Sequence, residues 1–151
     1  MRPSNHFFLG FIFSLIFYFI FNISLLEFTA LFLSTWFFID LDIVFLFVLK
    51  KKSISPMKFF KWARDRRDFV LSLNKEQRKK YIYPFRLFHS VEVLILIFLF
   101  SFFNKIFLYV LIGFIFHLIL DWIDLYNSEL NVFHKVSWFY HLKKHKKHKK
   151  H

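Results

Sequence analysis

Ile106-Phe107-Leu108-Tyr109-Val110-Leu111-Ile112-Gly113-Phe114-Ile115-Phe116-His117-Leu118-Ile119-Leu120-Asp121-Trp122-Ile123-Asp124-Leu125 is the stretch whose reading decides the fold. Its length matches the roughly 20 residues a helix needs to cross a hydrocarbon core of about 30 Å. It holds no Lys or Arg, and its polar groups sit at one end. His117, Asp121 and Asp124 stand at i, i+4 and i+7, which places them on one helical face. The stretch predicts a transmembrane helix with a polar lower end.

Working outward, the same pattern recurs. Apolar residues gather in two blocks, Phe7 to Leu49 and Val91 to Leu125, within a 151-residue chain of mean hydropathy +0.44. A soluble domain interleaves charge with apolar residues at period 3.6 or 2; this chain segregates them. Each block divides at a short polar turn. Asn22 and Glu27 lie near the far end of a run over residues 7–26, which a short turn joins to one over 28–49, and Asn104-Lys105 separates 87–103 from 106–125. Short turns join antiparallel neighbours. The expected fold is therefore an all-α membrane protein, a single domain over 1–151, with four transmembrane helices as two antiparallel hairpins. The first run is too long for the apolar core of a signal peptide and no small-x-small site follows it, so it is expected to be retained.

Residues 50–86 differ in kind. Ser55-Pro56 reads as a helix N-cap followed by Pro at the first helical position. Phe59, Phe60, Ala63, Arg67 and Val70 follow at helical spacing, with Lys58, Lys61, Arg64 and Arg66 among them. This predicts an amphipathic helical insert on the cytoplasmic membrane surface, between spans two and three. Asn74 and Gln77, three apart, mark a second helix start. The tail, 131–151, begins amphipathic and ends in repeated Lys-Lys-His.

Charge orients the chain. Thirteen Lys and Arg lie from Lys50 to Arg86 and seven from Lys135 onward, leaving Arg2 and Lys105 elsewhere. Basic residues flanking apolar spans mark the cytoplasmic side, so the loop and both chain ends are expected there, at the cell (inner) membrane. Lys50, Lys51 and Lys52, with Lys143, Lys144, Lys146 and Lys147, are expected to meet anionic lipid head groups. The bilayer thus accounts for the net charge of +12, and nucleic acid is not expected as a partner. With two glycines and no cysteine, neither a nucleotide cofactor nor a disulfide is expected. The 27 phenylalanines serve in lipid about as well as leucine and carry no functional reading.

The ionisable groups inside the runs need a reason, since an Asp there costs about 2.5–3.5 kcal/mol on insertion scales. His6 opens the first run, Asp40 and Asp42 lie late in the second, His89 and Glu92 open the third, and His117, Asp121 and Asp124 end the fourth. Two antiparallel hairpins bring all of these ends to one membrane face. His with a carboxylate at i, i+4 is the spacing of helical zinc motifs. Asp40 and Asp42, two apart, cannot point the same way on a regular helix. Either the helix loosens there, or one binds metal and the other stands behind a ligand. Neutral imidazole with carboxylate suits Zn²⁺ or a similar divalent ion. His6 to Asp40 and His89 to Asp121 also repeat a theme of His at the opening and Asp near the end of each hairpin.

These residues resemble a known pattern. Asn5-His6-Phe7-Phe8-Leu9-Gly10, Ile39-Asp40-Leu41-Asp42, Phe85-Arg86-Leu87-Phe88-His89-Ser90 and Gly113 to Asp121 resemble, in order and over nearly the whole chain, the YdjM-like family of LexA-binding, inner-membrane-associated metal-dependent hydrolases. That family is similar in turn to zinc-dependent phospholipase C and the P1-type nucleases. The family motifs have Pro where Ile39 stands, His at Phe85, Gly at Leu87 and Thr at Phe88. The resemblance implies His6, Asp40, His89, His117 and Asp121 as metal ligands. Asp42 would be a general base or a group behind the ligands, Ser90 and Asp124 would also stand behind them, and Arg86 would neutralise a phosphate. A membrane-bound hydrolase acting at the cytoplasmic interface on a phosphoester or lipid follows as the expected function. The alternative is a non-catalytic anchor or scaffold whose basic parts hold lipids or partners. Ion transport fits less well, because the outer ends offer only Asn22, Glu27, Asn104 and Lys105.

Overall fold

The structure is a computed structural model and describes residues 3–80 and 88–128. It is all-α, with no strand among the described residues. In chain order the helices are α1 (Pro3–Phe21), α2 (Leu25–Trp36), α3 (Leu41–Lys51), α4 (Pro56–Ser72), α5 (Lys75–Lys80), α6 (Val91–Ser101) and α7 (Lys105–Asn127).

The two expected tight turns are present, and their side chains explain them. Asn22 adopts a positive φ of 47° between α1 and α2, a conformation that Asn tolerates better than most residues. Ser24 and Glu27 then form a reciprocal capping box that starts α2. At the other hairpin the Asn104 side chain accepts from the Ile106 N–H at 2.9 Å and starts α7. Lys105 Nζ meets Glu27 Oε1 at 2.9 Å and ties the two turns together.

Two expected spans differ from a continuous helix. The run over 28–49 is broken: α2 ends at Trp36, α3 starts at Leu41, and their axes differ by 50°. Among the described residues of the third run, 88–103, the helix covers Val91–Ser101, about 16 Å at 1.5 Å per residue. By length and composition α7 can cross a membrane, as can α2 and α3 taken as one bent span; α1 and α6 are apolar but shorter.

The basic insert begins as expected. Ser55 is the N-cap residue of α4 and Pro56 its first helical residue, although the Ser55 side chain makes no capping bond. Asn74 and Gln77 cap α5 reciprocally, with Gln77 N–H to Asn74 Oδ1 at 2.8 Å and Asn74 N–H to Gln77 Oε1 at 3.1 Å. α4 lies against α3, where Phe47 meets Phe59 and Trp62. The exposed lysines Lys50 and Lys51 occupy the last turn of α3, and Lys52 closes it in the left-handed region. Cations at a helix C-terminus are favoured by its dipole.

The bundle itself is α1, α2, α6 and α7. α2 packs against both α1 and α7, and α6 packs against α7. The chain's two glycines make the α2 contacts close. A methyl at Gly10 would overlap the Thr35 hydroxyl, and one at Gly113 would overlap Ser34 and come within 2.7 Å of the Leu31 carbonyl. Ser34 and Thr35 are fully buried, and their hydroxyls donate to Leu31 and Phe32 carbonyls in the preceding turn. Small residues at such contacts let backbones approach closely, as between helices in membranes. Two apolar clusters fill the rest. Ile23, Leu31 and Tyr109 form one near the turns, and Ile39, Val93, Phe114 and Leu118 form the other beside the polar residues.

Candidate metal centre

The glycine contacts set the position of the histidines. His6 lies one turn before Gly10 on α1, and His117 one turn after Gly113 on α7. Close packing on α2 brings their rings into a stack, with centroids 4.3 Å apart and planes 12° apart. His89 precedes α6 and meets His117 edge-on at 5.5 Å. All three imidazoles are buried, His117 completely.

The break after α2 supplies the acids and one essential acceptor. In a continuous helix the Thr35 carbonyl would accept from the Ile39 N–H four residues on. Here Phe38 N–H turns to the Leu33 carbonyl and Asp40 N–H to the Phe37 carbonyl. The Thr35 carbonyl instead faces His117 Nδ1 at 2.9 Å. A carbonyl can only accept, so His117 carries its proton on Nδ1. Nε2 of the neutral ring then presents a lone pair. It is buried, has no hydrogen-bond partner, and points toward Asp40 Oδ1 at 3.9 Å.

The carboxylates surround the rings. Asp121 Oδ1 stands 3.4 Å from His6 Nε2, and Asp121 Oδ2 stands 3.5 Å from His89 Nε2. Asp40 Oδ1 stands 3.5 Å from the same His89 nitrogen. The repeat seen in the sequence is thus crossed in space. The opening His of each hairpin faces the Asp of the other: His6 faces Asp121, and His89 faces Asp40. His89 reaches Asp121 of its own hairpin as well.

Asp42 sits on the opposite side of His89. Its Oδ2 lies 3.4 Å from His89 Nδ1 and accepts the Phe88 N–H at 3.2 Å. Asp40 and Asp42 therefore flank one imidazole from two directions, which the helix break makes feasible. In the tautomer that donates Nδ1–H to Asp42, His89 Nε2 would turn a lone pair toward two carboxylates. Carboxylates behind metal-bound histidines fix their tautomer in this way.

The residues present fit a cation on two counts. The bare Nε2 of His117 near the Asp40 carboxylate is unfavourable unless positive charge lies between them. The separations also speak for an ion. A charge-assisted N–H···O⁻ bond is about 2.7–2.9 Å. Ligands about 2.1 Å from a tetrahedral Zn²⁺ lie about 3.4 Å from one another. The observed 3.4, 3.5 and 3.5 Å leave room for the second spacing. Two overlapping groups, His6–His117–Asp121 and Asp40–His89–His117, could each hold a metal ion. His117 offers one free nitrogen and can serve only one of them at a time.

Of the other expected site residues, Ser90 and Asp124 are described. Ser90 is buried and is the N-cap residue of α6. Asp124 pairs with Arg67 of α4 at 3.4 Å. Phe85, Arg86 and the tail lysines Lys143, Lys144, Lys146 and Lys147 lie outside the described residues. Thr35, Gly10 and Arg67 were not among the expected site residues. The Thr35 contribution is a backbone carbonyl, which no side-chain motif can display. Comparison with protein-family models, with curated proteins and with solved structures finds no match for the chain.

Proposed function

We propose that the chain is a membrane-embedded, metal-dependent hydrolase. Its centre opens to the cytoplasmic interface, and its substrates are phosphoesters of lipid or amphiphile type. The observation that carries this reading is the buried, unpartnered Nε2 of His117, aimed by the Thr35 carbonyl into a cluster of carboxylates. His6, Asp40, His89, His117 and Asp121 supply the candidate ligands, in two overlapping sets that share His117, with zinc the best match for the donor set. Bound there, a divalent ion would activate a water and polarise a phosphoryl or carbonyl oxygen. Asp42 orients His89 and holds its Nδ1 proton. Asp121, with one oxygen toward His6 and the other toward His89, links the two halves of the ligand set. The resemblance to the YdjM-like hydrolases agrees with this assignment at each of the five ligands.

Membrane embedding is part of the proposal. α1, α6 and α7 expose Phe8, Ile12, Ile16, Phe19, Ile95, Ile115 and Ile119 on their outer faces. A contiguous apolar surface of this kind suits hydrocarbon better than water. Four passes, with α2 and α3 as one broken pass, place the loop lysines on the cytoplasmic side with anionic lipid.

A second reading is a scaffold whose polar cluster is a hydrogen-bonded core. Its support is the exposed Met57, Phe60 and Phe69 among the cations of α4, which suit docking on a lipid surface. The lone pair of His117 Nε2 beside the Asp40 carboxylate weighs against a metal-free core. The test is elemental analysis of the full chain purified in detergent, beside His117→Ala and Asp121→Ala. Stoichiometric zinc in the wild type and none in the variants is expected, together with loss of phosphodiester hydrolysis. A metal-free, correctly folded wild type sinks the hydrolase reading. Metal without turnover on any phosphoester favours the scaffold.

A further inference from the structure

Two overlapping ligand groups, His6–His117–Asp121 and Asp40–His89–His117, call on the single free nitrogen of His117. What stands behind each imidazole discriminates between them. A metal-bound histidine almost always donates its second ring N–H to a carboxylate, a carbonyl or a water. His117 Nδ1 has the Thr35 carbonyl at 2.9 Å, and His89 Nδ1 has Asp42 Oδ2 at 3.4 Å. His6 has no counterpart: its Nδ1 is buried and without a hydrogen-bond partner. To bind an ion through Nε2, His6 would carry its proton on Nδ1, as an N–H closed off from any acceptor. That is unfavourable. With the proton on Nε2 instead, the N–H faces Asp121 Oδ1 at 3.4 Å, close enough for a long hydrogen bond.

Charge and access point the same way. His89 Nε2 has two carboxylate oxygens at 3.5 Å, Asp40 Oδ1 and Asp121 Oδ2. His117 Nε2 lies 3.9 Å from the same Asp40 oxygen. An ion among these four groups meets two carboxylates, which together balance a divalent charge. The group with His6 offers one. Access also differs. The Asp40 side chain is 25% exposed, against 9% or less for the other four candidates. A hydrolytic metal keeps one position open for water or substrate. Asp40 gives the second group an exposed edge, whereas His6, His117 and Asp121 are all buried.

We propose that one ion is held by Asp40, His89, His117 and Asp121, and that His6 is a positioning residue. Its Nε2–H holds Asp121 Oδ1, which leaves Asp121 Oδ2 for the ion. Ligating carboxylates are commonly hydrogen-bonded in this way. The stack of His6 on His117, with centroids 4.3 Å apart, braces the ring that carries the free nitrogen. The inference rests on the metal-dependent reading, narrows its five candidate ligands to four, and departs from the family resemblance at His6.

The test titrates zinc into the full chain in detergent and reads affinity by competition with a chelator. X-ray absorption at the zinc edge counts the bound imidazoles, and the thermal midpoint of the metal-free protein is the folding control. Wild type is expected to bind one zinc through two imidazoles. His6→Gln keeps an N–H donor near the Nε2 position and removes the ring. It should bind zinc close to the wild-type affinity, again through two imidazoles. His6→Ala removes the donor as well and should bind about 10–100-fold more weakly, with the imidazole count unchanged. His89→Gln, which removes a ligand, should lose stoichiometric zinc. Three imidazoles on one ion, or two ions per chain, overturns the proposal and leaves the metal-dependent reading standing. So does a folded His6→Gln that binds no better than His6→Ala, or a His6→Ala that binds as tightly as wild type. A folded wild type that takes up no zinc defeats both.

Discussion

The imidazole of His117 donates from Nδ1 to the carbonyl of Thr35, 82 positions earlier in the chain, at 2.9 Å. One ring thus has a structural nitrogen and a free one. His117→Asn keeps an amide donor near the Nδ1 position and removes Nε2. It should fold with a metal-free thermal midpoint close to that of wild type, yet bind no metal. His117→Ala loses both functions and should be destabilised by about 1–3 kcal/mol even without metal. Thermal unfolding of chelator-treated protein separates the two variants, and equal midpoints would remove the structural role of Nδ1.

Asp42 acts on the centre through His89. Asp42→Asn leaves every proposed ligand in place and should weaken metal affinity about 10–100-fold. Competition against a chelator of known affinity measures this. Affinity equal to wild type would show that Asp42 does not orient the ring.

Glycine to alanine inside a helix ordinarily stabilises by up to about 1 kcal/mol. At Gly10 and Gly113 the sign should reverse, because the added methyl overlaps α2. Each substitution should destabilise by about 1–3 kcal/mol and lower metal content, since the rings of His6 and His117 move with their helices. The two sites should differ in the extent of rescue. Gly10→Ala meets the Thr35 hydroxyl, and the Thr35 Cβ at 2.8 Å; adding Thr35→Ala removes the first contact and keeps the second, so it should restore much but not all of the stability. Gly113→Ala also meets the Leu31 backbone carbonyl at 2.7 Å, so Ser34→Ala should restore less. Denaturation midpoints of the double variants decide this.

Topology can be read with single cysteines, since the chain has none of its own. Phe103→Cys, at an exposed position beside the second turn, should react with an impermeant thiol reagent from outside intact cells. Glu76→Cys in α5 should react only after permeabilisation. The reverse pattern would invert the proposed orientation.

Much of the site was legible because it depends on order along the chain. Two hairpins are enough to bring His6, Asp40, His89, His117 and Asp121 to one end, and periodicity supplies the hairpins. The Asn74–Gln77 cap was legible for a similar reason: it is a local contact between residues three apart. What escaped depends on contact between distant segments. A loosened helix was one of two readings of the Asp40–Asp42 spacing, but nothing in Thr35-Trp36-Phe37-Phe38-Ile39 decides for a break, because each of those residues is compatible with a helix. The break is held by Ile39 packing against Val93, Phe114 and Leu118, and by the interactions of Asp40 and Asp42 with His89. Arg67 could be placed on the apolar face of α4, but its partner Asp124 lies on another helix. Gly10 and Gly113 carry no visible mark of function until α2 lies between α1 and α7.

The crossed pairing of His6 with Asp121 and His89 with Asp40 bears on biogenesis. Neither hairpin carries a closed centre, so a first hairpin that enters the bilayer alone brings acids and imidazoles whose counterparts have not yet been made. Those groups are poorly accommodated until the second hairpin docks in the correct register and orientation. In the proposed membrane-embedded fold the polar cluster would thereby act as a check on assembly. A chain inserted upside down, or with its halves mispaired, would be left with uncompensated charge in hydrocarbon and would be a natural target for degradation.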